Sequence, residues 1–535
     1  MDDEARGEGP DGGPDTERDR ELGDLGADVA ALRASKRRAL RRGLVVAVAV
    51  AVLLPVWRAN GEHVRSVVRG EMDLDGEPRY EPEHETPPAA LASIDFRQVH
   101  EDLLPRWTVA RAQATSPYWE ERADRAFTAL EAEVAPDRNL HELLRHTRDA
   151  LDDDPLERAR RLDYWLWAYN DYLDARNVPW RLEASLTLRG PGEAPLFRTR
   201  SYEVLADARN EDGARLRLLR RADRINTLEG WMGRTARPQD GAMVLMRRVL
   251  HFTVRHVWPG LHPALDARRP PAERSWLPHV REEVRAQLDE ETFRLLRETA
   301  VDQQLLVEVA GAIEARHECG SEFRLRGLPY NGLSERDVAR LRWAVSRGED
   351  DPDCPEVTLS EAASIIGASE RLSTTEGIAP ALEALAIVVA RAIGAHELRH
   401  VVDGETIACP GCPEGLEGTA RAEVSAYLSA FATEGLGYLS LLQACATPRG
   451  PTIQSAALGA VLEALLPYGC EGPPLHGLYE VAGAIEAALF GKRHPVSLPE
   501  LPPRVHLLPR PVRAQRAPTP AVPLEGGWGT RLRRD

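Results

Sequence analysis

Lysine is almost missing from this 535-residue chain: it occurs only at Lys36 and Lys492, so nearly all 68 basic side chains are arginine. Positive charge is also in deficit, since 84 acids leave a formal charge of −16. A general nucleic-acid binder needs a basic face that releases counterions from phosphate, so no nucleic-acid partner is expected. Long apolar runs are scarce too. One candidate stands out, at 43–57, which excludes a polytopic membrane protein. Cysteine is absent before Cys319. What is present, 43% apolar residues, is too much for a wholly disordered chain and enough for a sizeable core.

The chain is strongly segmented. Residues 1–35 hold eleven acids against four arginines and little to bury, which predicts a disordered acidic tail. KRRALRR (36–42) and the apolar run GLVVAVAVAVLLPVW (43–57) follow, then Arg58. As a helix the run reaches about 22 Å against a hydrocarbon core of about 30 Å, and snorkelling arginines with Trp57 at the interface make up the difference. It reads as an uncleaved signal anchor over 36–58. A cleaved signal peptide is the weaker alternative, because the run starts some 40 residues in and no small-x-small site follows directly. The basic flank keeps the N-terminus in the cytoplasm, so the remainder is expected outside it.

Six cysteines fit an oxidising space, and the simplest pairing joins sequence neighbours: Cys319 with Cys354, Cys409 with Cys412, Cys445 with Cys470. CPGC has no second CxxC to complete a cysteine zinc site.

Residues 59–93 read as a polar spacer. From 94 to about 180 apolar and charged positions alternate at helical spacing, with a cluster at Trp165, Trp167, Tyr169 and Tyr172 that reads as helix packing. Two-residue alternation over 180–189, 196–208 and 214–226, separated by turn-rich stretches, predicts a small antiparallel meander whose arginines form a solvated face. The segment 94–239 is thus a helical layer plus meander, and 240–492 a helical domain. From 493 to 535, nine prolines between Pro495 and Pro523 leave an extended arm able to contact an envelope partner. The expected fold class is mainly α (α+β).

Chemistry is concentrated in APALEALAIVVARAIGAHELRHVVDGE, a long apolar helix pattern containing His396, Glu397 and His400. Histidines four apart lie about 40° from each other around a helix, so both imidazoles share one cleft and one ion. Glu397, about 100° from His396, falls beside the ion rather than on it. Zinc suits imidazole and acidifies a coordinated water, whose proton Glu397 could accept. HELLRH at 141–146 has one extra residue, so its histidines diverge by about 140° and belong to a solvated helix face. A third ligand is needed. TARAEVSAYLSAFATEG (419–435) starts a second helix with Glu423 near its beginning, and a helix hairpin would bring that acid to the histidines. Asp403, Glu405 and Glu434 are rivals. His476, Tyr427, Tyr438 and Tyr479 are candidate donors to a developing oxyanion.

In these residues, over about 380–435, the sequence resembles the gluzincin zinc metallopeptidases, in which an HExxH helix supplies two histidine ligands and the base while a downstream helix supplies a glutamate. The resemblance implies Zn2+ bound by His396, His400 and Glu423, Glu397 as general base, and a peptide or protein substrate. The metzincin pattern fits less well, because it requires Gly at 403 and His or Asp at 406, where Asp403 and Thr406 stand. The competing expectation is a non-catalytic envelope scaffold that keeps a peptidase-like fold.

Overall fold

The computed structural model describes residues 82–508, apart from 114–115, 153–154, 188–195, 224–230, 236–240, 270, 317–358 (339 and 346 excepted), 405–406, 413–415, 417, 447–452, 466–469, 471–476 and 492–494. The acidic tail, the apolar run at 43–57, Cys319, Cys354, Glu405, His476 and the arm beyond 508 lie outside these.

The described chain is mostly helical with one small mixed sheet. Its N-terminal layer holds α1 (Leu104–Ala112), α2 (Pro117–Val134), α3 (Arg138–Asp149) and α4 (Pro155–Asp174). Pro117 opens α2, where its missing N–H costs nothing, and the Asp137 carboxylate caps α3 by accepting from Leu140 N at 2.9 Å. Ala123, Ala126, Phe127, Leu130 and Val134 form the buried stripe of α2. Tyr169 and Tyr172 are fully buried, and the Tyr172 hydroxyl donates to Asp137 Oδ2 at 2.7 Å; Trp165 and Trp167 sit half-buried at the rim. The end of the expected spacer is attached to this layer, since His84 N donates to Asn139 Oδ1 at 3.1 Å and Thr86 Oγ1 lies 2.7 Å from the Tyr172 hydroxyl.

Strands β1 (Trp180–Thr187), β2 (Leu196–Arg209) and β3 (Arg215–Arg221) form the expected antiparallel meander. Two further strands change its character. β5 (Ala242–Leu245) pairs parallel with β3 and β4 (Gly233–Arg234) antiparallel with β5, giving a mixed sheet in the order β1-β2-β3-β5-β4. AMVL is buried on both faces and therefore shows no alternation. β4 and β5 lie on either side of the 239/240 boundary read from the sequence, so the sheet and the helical domain share one core.

The arginine face of the meander is solvated only in part, with Arg209 exposed. Arg181 and Arg217 are buried, because Asp174 at the end of α4 covers them: it accepts from Arg181 at 3.4 Å, Arg215 at 3.2 Å and Arg217, while Asp207 accepts from Arg215 and Arg217. On the same face Arg234 reaches Glu183 of β1, the strand at the opposite edge, at 3.1 Å. A flat five-stranded sheet would separate its edge strands by about 19 Å, so this sheet is curled.

The other face carries Leu216, Leu218, Ala242 and Val244 into a core built around α9 (Ile378–Asp403). α5 (Met246–Phe252), α6 (Pro271–Gln287), α7 (Glu290–Arg316) and α8 (Leu359–Thr374) complete that side. α9 meets the sheet closely at Gly394, where a Cβ would lie 2.8 Å from Leu216 Cδ2. Among the described residues it is the helix long and apolar enough to cross a membrane, yet most of its apolar window is buried in the protein. Burying each Leu, Ile or Val contributes about 1.5–3 kcal/mol, which accounts for a continuous apolar helix at the centre of the fold.

A second helical cluster contains α10 (Gly418–Phe431), α11 (Gly437–Ala446), α12 (Ile453–Leu465) and α13 (Leu478–Phe490). Cys409–Cys412 and Cys445–Cys470 are disulfide-bonded. Finally, residues 495–508 strap the domain. Val505 is buried, Leu507 N and Leu508 N donate to Glu383 Oε1 of α9 at 2.8 and 3.1 Å, and Asn210 Nδ2 donates to Ser497 O at 2.9 Å.

Candidate metal centre

The last turns of α9 and the first turns of α10 face each other. α9 stops at Gly404, whose φ of +65° favours a residue without a side chain, and the connecting loop is pinned to the end of α13. Gly411 N donates to Leu489 O at 3.0 Å in a space so narrow that a Cβ would lie 2.5 Å from Ala488 O. The Cys409–Cys412 bond closes this turn, and Cys409 Sγ lies 3.4 Å from Leu489 O.

Three side chains converge between the helices. His396 Nε2 and His400 Nε2 are 3.3 Å apart, Glu423 Oε2 is 3.5 Å from His396 Nε2, and Glu423 Oε1 is 3.9 Å from His400 Nε2. Ligands about 2.0–2.1 Å from a tetrahedral zinc are separated by about 3.4 Å, so these donors have nearly the spacing of three tetrahedral corners. They form one of two acid and histidine groups among the described residues whose atoms lie within ligand reach of one another. Two imidazoles with one carboxylate are also the donor chemistry that zinc favours at an open site.

Burial and mutual charge shift the three groups in different directions. Burial opposes charge on His396, but a hydrogen bond to Glu423 and the nearby carboxylates raise its pKa above the ordinary value. Glu423 is likewise opposed by burial, yet its bond to His396 and the two imidazoles hold it low. His400 is pushed down to about 4 by burial and by His396.

Glu397 lies beside this triad. Its side chain is buried, and burial followed by repulsion from Glu423 pushes its carboxyl up to about 7, although His396 opposes the rise. Above it runs β4. Thr235, just after the strand, donates from Oγ1 toward Glu397 Oε2 at 3.2 Å and Glu397 O at 3.0 Å. A Cβ on Gly233 would lie 2.5 Å from Glu397 Oε1. Tyr427, one turn after Glu423, stands edge-on to the His396 ring with centroids 4.6 Å apart; burial first, then Glu423 and Glu397, raises its phenol pKa.

The rival ligands go elsewhere. Asp403 is directed to Ser425 Oγ at 2.6 Å and to Arg399 Nε at 3.6 Å, and Arg399, buried, also donates to Glu486. Glu434, Tyr438 and Tyr479 line a cavity of about 370 Å³ together with Glu282, Glu283 and Phe431, a cavity lined by none of the three converging donors. Glu405 and His476 lie outside the described residues. Gly233 and Thr235 escaped the sequence reading, because a two-residue strand has no periodicity and its partner is 162 residues away. No family model, curated protein or solved structure matches the chain.

Proposed function

We propose that this protein is a zinc-dependent peptidase, held to a membrane by residues 43–57 with its folded part outside the cytoplasm. The observation that carries the reading is the near-tetrahedral spacing of His396, His400 and Glu423 with a buried glutamate beside them but outside the set. A gluzincin-like division of labour follows: three ligands from two helices, and Glu397 as base.

Zinc bound by the triad would polarise a peptide carbonyl and acidify a water molecule. Glu397 takes that water's proton and returns it to the leaving amine, a task suited to a carboxyl whose pKa sits near neutrality. Tyr427, kept protonated by its surroundings, donates to the carbonyl oxygen as charge develops there. Glu423, held low, stays available as a carboxylate ligand across the physiological range.

The test combines metal analysis and turnover on the purified full-length chain with a peptide library. One zinc per chain is expected, with cleavage lost to a chelator and restored by zinc. Glu397→Gln should retain the metal and lose about 10²–10⁴-fold in kcat. A protein that takes up no zinc, or a Glu397→Gln variant as active as the parent, refutes the reading.

A further inference from the structure

We infer that Thr235, just after the strand above α9, is a positioning residue that fixes the Glu397 carboxylate in its working orientation; the inference rests on reading Glu397 as the base of a hydrolytic centre. A glutamate side chain has three rotatable bonds, and leaving them free would scatter the carboxylate over several ångströms. Here the carboxylate is trapped between two features of one strand face. Gly233 in the strand and Thr235 just beyond it both face α9, as their contacts with Glu397 show. At 233 the absence of a side chain opens a slot: a Cβ would lie 2.5 Å from Glu397 Oε1, 2.6 Å from Glu397 Cγ and 2.7 Å from Ile393 Cγ2. At 235 a hydroxyl closes the slot, bonding Oε2 at 3.2 Å. Thr235 is the hydrogen-bond partner of the Glu397 side chain among the described residues.

The hydroxyl shares its one proton with the backbone carbonyl of Glu397, 3.0 Å away, so one side chain ties the carboxylate and the helix that carries it to the sheet. The strand is itself anchored. Gly233 and Arg234 pair with Val244 and Met243 of β5, Leu245 N donates to Met232 O at 2.7 Å, and Arg234 on the opposite face holds Glu183. A base supported in this way loses no conformational freedom when substrate arrives, and displacement of a reacting group by about 1 Å can cost about 10²-fold in rate.

The experiment uses the full-length, zinc-loaded chain with Thr235→Ala, Thr235→Val and Thr235→Ser, reading kcat, KM, zinc content and the crystal structures of the parent and Thr235→Ala. Removing the hydroxyl, by Ala or by isosteric Val, should lower kcat about 10- to 100-fold with KM and zinc content unchanged. Serine should restore kcat to within about threefold of the parent, and in the Thr235→Ala crystal the Glu397 carboxylate should leave its slot. Parent-like kcat in Thr235→Ala and Thr235→Val overturns the inference, as does a serine variant as slow as alanine. If the parent cleaves no peptide, the peptidase reading fails separately and the two crystal structures decide the positioning: a carboxylate unmoved in Thr235→Ala overturns it, and a displaced one upholds it.

Discussion

HELLRH on α3 and HELRH on α9 differ in length by one residue and come to opposite ends. On α3 the extra residue turns the histidines apart: His141 goes to Glu131 at 3.6 Å, and His146, exposed, stacks on Trp165 with ring centroids 4.2 Å apart. The acid between them, Glu142, then meets His84 and forms with Glu83 the second group within ligand reach. That group already has a cation nearby, Arg138 with its Nε 3.5 Å from Glu142, and Glu83 is exposed. On α9 both imidazoles share one side, the acid comes from a packed neighbouring helix, and the buried arginine of the motif, Arg399, is directed to Glu486 and Asp403. Proximity of three donors is therefore common to both places. The company of the acid distinguishes them: Glu142 is paired with an arginine, whereas among the described residues the ion pairs of Glu423 are with the two histidines.

Erasing one side of the comparison should have the largest effect. His396→Ala and Glu423→Ala are each expected to reduce zinc content and peptide cleavage to background, as read by metal analysis and an activity assay. A smaller loss should follow from closing the slot in the strand above. Gly233→Ala has to move the Glu397 carboxylate, so kcat should fall about 10²-fold while zinc is retained. Next comes pH. On the proposed reading Glu397 has to be ionised to act as the base, so kcat/KM should rise with pH through an acid limb lying between the ordinary carboxyl value of 4.5 and the raised value of about 7, a bound cation drawing it below the latter. A flat pH profile across that interval would remove Glu397 from the role. The smallest effect is expected at the other group, where His84→Ala and Glu142→Ala should leave zinc content at one per chain and activity within about twofold. A second ion lost from these variants would erase the contrast between the two helices.

The convergence of His396, His400 and Glu423 was legible because it obeys short-range rules. The spacing of His396 and His400 fixes their shared face within one helix, and Glu423 needed only the step that a helix hairpin closes on itself. The meander was legible from alternation. β5 was not, because a strand buried on both faces carries no period, and β4 was too short to carry any pattern. The arginines of β1 and β3 looked solvated because their acidic cover, Asp174, arrives from the preceding helical layer rather than from the sheet. Asp403 stayed a rival to the preferred Glu423 in the sequence; its commitment to Ser425 and Arg399 depends on how α10 and α13 pack around the end of α9. Proline density indicated that the C-terminal arm is extended, and only tertiary structure shows its first part lying on α9.

That strap sets an order of assembly. Glu383 belongs to the same helix as the HELRH residues, is buried, and receives the backbone N–H groups of Leu507 and Leu508. The ribosome makes α9 roughly 100 residues before those donors exist, and at about 5–20 residues per second the interval is on the order of 5–20 s. Throughout it, the central helix has a carboxylate that still needs water and a flank still uncovered. This flank of the central helix is therefore among the last parts of the described fold to be completed.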